Sequence, residues 1–226
     1  MFGEGDLQAL SITLRLALLS TLILLIIGTP MAWWLANSRW RWRFLFEAIV
    51  ALPLVLPPTV LGFYLLMAFS AGSPSGQALA SLGIGPLAFT FSGLLVGSVI
   101  YSLPFVVQPL QAAFESIGRR PLEVAATLRA SPMDRFFTIA VPLARPGFIT
   151  ATVLGFAHTL GEFGVVLMIG GSIPGETRVA SIAIYDHVES MDYSSAHWLA
   201  GLLLLMSFLL LVLVFAGNRR LRLLRS

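Results

Sequence analysis

The chain has 226 residues, of which 57% are apolar and only 11% charged, less than half the charge a soluble domain carries; it reads as a small membrane protein. It has no cysteine, which excludes disulfides, zinc–thiolate sites and thiol catalysis. All 14 of its basic residues are arginine, and without a lysine to reach a nucleotide's terminal phosphates there is no Walker A loop, so any ATP dependence must come from a partner.

Five apolar stretches long enough to cross a bilayer follow one another, at about 11–36, 45–70, 90–113, 143–170 and 195–217. The first starts too late and runs too long for a signal peptide, is preceded by Glu4 and Asp6, and ends in no small-residue cleavage pattern, so it is expected to be a retained helix. Arginines fix the sidedness, because basic loops stay in the cytoplasm. Arg39, Arg41 and Arg43 follow the first span, Arg119, Arg120, Arg129, Arg135 and Arg145 surround the break after the third, and Arg219, Arg220, Arg222 and Arg225 form the tail. Placing these on one side leaves Arg178 opposite, Arg15 near the outer start of the first span, the amino terminus outside and the carboxy terminus inside. The same placement explains a basic pI of about 9.9 without nucleic acid. Trp33, Trp34, Trp40 and Trp42 then cluster at the inner boundary and Trp198 near the outer one, as interfacial anchors.

The second span contains Leu52-Pro53-Leu54-Val55-Leu56-Pro57-Pro58-Thr59. Proline removes a backbone hydrogen bond and disfavours helix in the residue before it, so this helix is expected to bend or open near mid-membrane. Irregular backbone there must be buried in protein or line a water-filled path. Pro53, Pro57, Pro58 and Thr59 therefore read either as a pathway gate or as a packing kink, and Pro104 and Pro109 in the third span carry the same two readings. Glu47 lies four residues after Arg43 and is expected to pair with it.

Residues 115–142 are too ordered in pattern for a plain connector. Pro121 can open a helix with Glu123 near its positive end, and Ser131-Pro132-Met133-Asp134 sets a hydroxyl cap, a proline and a carboxylate at the start of a second. In the fourth span, Gly161-Glu162-Phe163-Gly164 follows His158. An ionisable group in lipid is costly, so Glu162 is a site candidate. On one continuous helix His158 and Glu162 would share a face and could bond to each other, as a structural polar network or in transport. A metal would need further ligands, and none is near in sequence. Beyond this span, Ile173-Pro174-Gly175-Glu176-Thr177-Arg178 sets a turn with Glu176 and Arg178 at its edge, available to a soluble partner or merely solvated.

Glu123-Val124-Ala125, three residues, Arg129, nine residues and Ile139-Ala140-Val141-Pro142 resemble the EAA loop of bacterial ABC-importer permeases, Glu-Ala-Ala, three residues, Gly, nine residues, Ile-x-Leu-Pro. The resemblance implies that Glu123, Val124, Ala125, Ala126, Arg129, Ile139 and Pro142 couple the membrane helices to a cytoplasmic ATPase. Val124 stands where the pattern has alanine and Arg129 where it has glycine. Arg129 would either hold the ATPase further off or pair with one of its acidic residues. The proline run with Thr59-Val60-Leu61-Gly62, the Leu160–Gly164 element and the Ile173–Arg178 turn together are similar to the molybdate-type permease subunit, with tungstate indistinguishable; sulfate-type permeases share the Gly-Glu-Phe-Gly element and the coupling loop.

That likeness runs from about residue 10 to 215 and implies an all-α polytopic membrane protein, the helical bundle of type I (MetI-like) permeases, as a single domain over 1–226. It further implies a bacterial plasma membrane location, a second copy of the chain, two ATPase subunits that bind the ATP and magnesium, an external oxyanion-binding protein facing Glu176 and Arg178, and no cofactor or metal in this chain. Some relatives carry an extra amino-terminal span, so the dimer periphery is expected to differ. Molybdate is a dianion, and carrying it inward against a negative-inside potential costs about 4.6 kcal/mol per 100 mV, twice the single-charge cost. Alternating access without a tight site in the membrane is expected, with an apolar gate near Pro53–Thr59 and with Gly161 and Glu162 as further candidates for the path or gate. A nucleotide-independent secondary transporter or channel has no use for the coupling segment. An intramembrane enzyme finds no serine-based pair, metal triad or aspartate dyad.

Overall fold

The first apolar stretch folds as α1, Glu4–Asn37, with Glu4 and Asp6 in its first turn at the positive end of the helix dipole. The computed structural model describes residues 3–83 and 85–223, with side chains as far as 212; the side chains of Arg219, Arg220 and Arg222, and Arg225 altogether, lie outside the described residues. Pro30 is absorbed within α1, which ends at the extended Ser38. The third stretch folds as the continuous helix Phe91–Ile117. It starts at Thr90, whose hydroxyl accepts the Gly93 N–H at 3.1 Å. Neither Pro104 nor Pro109 interrupts it, so the gate reading falls away for both.

The proline run breaks the second stretch, as expected. Arg43–Val55 forms α2 and Pro58–Phe69 forms α3, and the two meet at 110°. Leu56 and Pro57, each followed by proline, take extended backbone (ψ 133° and 135°), where a following proline ring does not clash. A short outer helix, α4 (Pro74–Ser81), is capped by Ser73 and leads to Phe91–Ile117, hereafter α5. At the opposite end come α6 (Arg120–Thr127), α7 (Pro132–Arg135), a π-helical turn (Phe136–Ala140) and α8 (Val141–Leu143). The π turn relieves Pro142, which cannot donate to the carbonyl four residues back and would clash with it.

The fourth stretch departs from expectation. It is two helices, α9 (Arg145–Leu160) and α10 (Gly164–Gly170), separated by Gly161–Phe163. Glycine at both borders gives the helix no propensity to continue, and the break frees the Glu162 carbonyl to accept the Ser181 hydroxyl at 2.6 Å. The chain ends with α11 (Ala180–Glu189) and α12 (Tyr193–Leu223). Among the described residues, three helices are long and apolar enough to cross a bilayer alone, or up to five if each bent pair, α2 with α3 and Pro132–Leu143 with α9, counts as one span.

The bundle centre is α1, α5 and α9. Lipid supplies no hydrophobic drive between helices, so close packing across small residues has to hold them. Gly28 of α1 and Gly155 of α9 close on the two methyls of Val106: a Cβ on Gly28 would lie 3.2 Å from one, and a Cβ on Gly155 2.7 Å from the other. Leu24, Val106, Val107, Leu110 and Ala151 are fully buried around that point.

Ion pairs mark the two ends. At one, Arg43 binds Glu47 at 2.9 Å, as its spacing predicts, and also Glu115 of α5 at 3.4 Å. At the other, His187 Nε2 lies 2.9 Å from Asp6 Oδ1, tying α11 to the start of α1. Trp33 is not an interfacial anchor. It packs edge-on against Phe114 and Phe136, with ring centroids 5.1 and 5.2 Å away, because its side of α1 meets α5 and the π turn. Trp34, Trp40 and Trp42 are exposed.

Candidate functional site

The two broken stretches meet. After its break each chain segment turns into a short helix, α3 or α10, and these pack backbone against backbone. A Cβ added to Gly62 would stand 2.7 Å from the Met168 Cβ, and one on Gly164 2.7 Å from the Pro58 Cβ. Pro58 and Thr59 from one break, and Gly161, Glu162, Phe163 and Gly164 from the other, therefore line a single cavity of about 530 Å³, with Tyr101 and His158 completing the wall. Pro53 is buried within α2 and Pro57 caps α3, so neither reaches it. No arginine lines the cavity, hence it offers nothing to hold a dianion tightly.

His158 and Glu162 do not bond to each other, because the helix ends between them at Leu160. His158 Nδ1 is instead 2.9 Å from the Ser102 hydroxyl, with its ring stacked on Phe105 at 3.8 Å. Ser102 is also 3.1 Å from the Thr159 hydroxyl. The Glu162 side chain is buried, 5% exposed, and neither carboxyl oxygen has a hydrogen-bond partner of ordinary geometry; the Ser98 hydroxyl of α5 stands near enough to interact with it but is not aligned as a donor. Sequence reasoning missed Tyr101, Ser98 and Ser102. The serines carried a usable signal, two hydroxyls four residues apart on one face of an apolar helix.

Between α2 and α5, Glu47, Gln111 and Glu115 line a second groove of about 450 Å³. The Gln111 amide donates to Glu47 at 2.9 Å and to Glu115 at 3.1 Å.

The inner elbow is built as its sequence suggested. The Ser131 hydroxyl accepts the Asp134 N–H at 3.1 Å, and the Asp134 carboxylate accepts the Ser131 N–H at 3.2 Å, a reciprocal cap. The Ser131 hydroxyl also donates to the Asp134 carboxylate at 2.6 Å, and this bond, followed by that from the Ser131 N–H, holds the Asp134 carboxyl below the usual carboxylate range. Glu123, Val124, Ala126 and Arg129 are exposed, whereas Ala125 is buried and Ile139 and Pro142 are half-buried. Val124, Leu128, Met133 and Phe137 present apolar side chains at least 60% exposed.

Arg129 explains why the resembling pattern has glycine at this position. Its φ is +62°, and it follows α6 with Arg129 N–H donating to Ala126 O and Ala130 N–H to Ala125 O, the Schellman arrangement. A left-handed conformation costs a residue with a Cβ about 1 kcal/mol or more. Arg129→Gly is expected to stabilise the elbow by about 1 kcal/mol, read as slower amide exchange in α6 with the rest of the chain unchanged.

At the opposite end, Thr177 orders the predicted turn by donating to Gly170 O at 2.7 Å and accepting from the Ile173 N–H at 3.1 Å. Glu176 is exposed on it. Arg178 folds back onto Asp186, Nε to Oδ2 2.9 Å, and is not at the free edge of the turn. The inward fold is favoured because Asp186 also accepts the Ser172 hydroxyl and sits on α11 directly below.

A helical membrane domain with two spans broken side by side at one cavity, and a capped helical elbow at the end that carries the arginine-rich loops, is a transport permease. The chain belongs to the family described as binding-protein-dependent transport system inner membrane component, which matches residues 24–224. It is 63% identical over 217 residues to the molybdenum transport system permease protein ModB of Azotobacter vinelandii, covering 96% of each chain. To the sulfate transport system permease protein CysT of Salmonella typhimurium it is 35% identical, over 90% of this chain and 73% of that one. The fold is shared with a bacterial ABC transporter that imports alginate (TM-score 0.78, 19% identity, 100% of this chain and 82% of the other). It is shared also with the MetNI methionine ABC transporter (TM-score 0.72, 18% identity, 98% of each). Inner-membrane location and the type I permease bundle follow.

Proposed function

We propose that this chain is the permease subunit of an ATP-driven molybdate importer. The observation that carries this reading is the 63% identity with a molybdenum permease along nearly the whole of both chains, against 35% with a sulfate permease. Two copies enclose the path between them, an external binding protein delivers the oxyanion, and cytoplasmic ATPase subunits holding ATP and magnesium drive the cycle. The absence of lysine from the chain supports a separate motor, and the exposed apolar side chains of the elbow support its docking there. A cavity without arginine supports release into a low-affinity chamber, with Pro58 and Thr59 facing Glu162 as its moving wall.

Proteoliposomes holding the permease, its ATPase and its binding protein are expected to accumulate labelled molybdate only when ATP is enclosed on the ATPase side. Tungstate should compete and a large excess of sulfate should not. Equal competition by sulfate would move the chain to the sulfate class, and uphill uptake without nucleotide would remove it from this transporter type.

A further inference from the structure

A groove of about 530 Å³, lined by apolar atoms alone, opens between α1 and α2 at the arginine-rich end of the bundle. Met31 and Trp34 form one wall, Phe46 and Ile49 the other, and Leu103 of α5 lies at its floor. Trp40 closes the rim, packing on Trp34 at 6.4 Å and on Phe46 at 5.6 Å between ring centroids. Its two chain neighbours are Arg39 and Arg41. Both are exposed, and neither makes an ion pair among the described residues, whereas Arg43 is taken up by Glu47 and Glu115. Arg41 lies over the Trp42 ring at 5.2 Å, held at the same level.

We propose that this groove binds an anionic phospholipid of the cytoplasmic leaflet, one acyl chain lying along the groove and the phosphate at Arg39 and Arg41. An apolar slot could equally accept a second copy of the chain, but two observations favour lipid. The free cations sit at the rim beside the exposed Trp40 and Trp42, residues that favour headgroup depth, and there a phosphate complements them whereas a copy carrying the same arginines repels them. The polar groove with Glu47 and Gln111 lies on an adjoining face of α2, shared only at Val50, which gives a second copy a different face to meet. The proposal goes beyond the transport reading and does not depend on it.

Trp34 lines this groove and Trp40 closes its rim, so tryptophan fluorescence reports it. The full chain in vesicles is expected to be quenched more by dibrominated phosphatidylglycerol than by dibrominated phosphatidylcholine at equal mole fraction. The preference should be several-fold, with a ceiling of about 30-fold for two arginines. R39Q together with R41Q should bring the preference close to one while quenching by both lipids persists. Leu103→Phe, which raises the floor, should weaken quenching by both and leave the arginines in place. Brominated lipid in both leaflets makes the reading independent of insertion orientation. Equal quenching by the two lipids in the unaltered chain, or a preference that survives loss of both arginines, overturns the proposal. So does absence of quenching by either lipid, the result expected if a second copy covers the groove.

Discussion

Val124→Arg is expected to abolish ATP-driven uptake by preventing the ATPase from docking, and Phe136→Ala to abolish it with docking intact. The two residues lie on one elbow and face opposite ways. Val124 is 62% exposed on α6, part of an apolar patch with Leu128, Met133 and Phe137; an arginine there must be desolvated without a partner when a protein surface closes over it, a cost of several kcal/mol. Phe136 faces the bundle. Its ring packs against Trp33 of α1 and Phe114 of α5, and Phe114 meets Phe148 of α9 at 6.0 Å. That aromatic cluster, in a core that also takes in Leu122 and Ala140, joins the elbow to all three central helices. Truncating a packed phenylalanine costs about 3 kcal/mol, and here the loss falls on the joint between the elbow and the bundle. Co-purification of the ATPase should fail for Val124→Arg and succeed for Phe136→Ala. Hydrolysis by the Phe136→Ala assembly should continue without uptake. Normal uptake in Phe136→Ala would show that the backbone continuing through α8 into α9 transmits the motion unaided.

The features legible in the sequence were those fixed by local chemistry. Three prolines in eight residues dictate a break whatever surrounds them, and the Ser131–Asp134 cap closes over one turn with no outside help. The Arg43–Glu47 pair follows from helical spacing alone. What stayed hidden needed tertiary contact. His158 and Glu162 were expected to share a helix, yet the helix stops between them because α10 must swing across to α3, and only the closeness of Gly62 and Gly164 to their partners reveals that demand. Arg178 could not be assigned to Asp186 without knowing where α11 lies. Trp33 looked like its three neighbours until α5 and the π turn were seen to bury one face of it. The site followed the same division: Pro58, Thr59, Gly161 and Glu162 were all named from sequence, but that two breaks about 100 residues apart line one cavity is a property of packing.

Glu162→Leu is expected to make the protein more stable and less active at once. A buried carboxyl without a hydrogen-bond partner costs the folded state about 1–3 kcal/mol, and here neither oxygen nor the nearby Ser98 hydroxyl is satisfied. The Glu162 main chain is held independently by Ser181, so replacing the side chain leaves the break in place. An apolar side chain of similar size should therefore raise the unfolding midpoint by a few degrees. A group retained at a net cost to the fold has to serve the path, and Glu162 lies in the cavity wall facing Pro58 and Thr59. There it can bond to water or to the moving wall when the cavity changes shape. Glu162→Leu should lower uptake at least about tenfold, the equivalent of one lost hydrogen bond to a charged or polar partner, while Glu162→Gln, which keeps two polar atoms in the same place, should retain most of it. Thermal unfolding in detergent and uptake in proteoliposomes separate the alternatives cleanly. If Glu162→Leu lowers the midpoint and uptake falls only in proportion to folded protein, the carboxyl belongs to a structural network with the hydroxyls of α5 and has no part in transport.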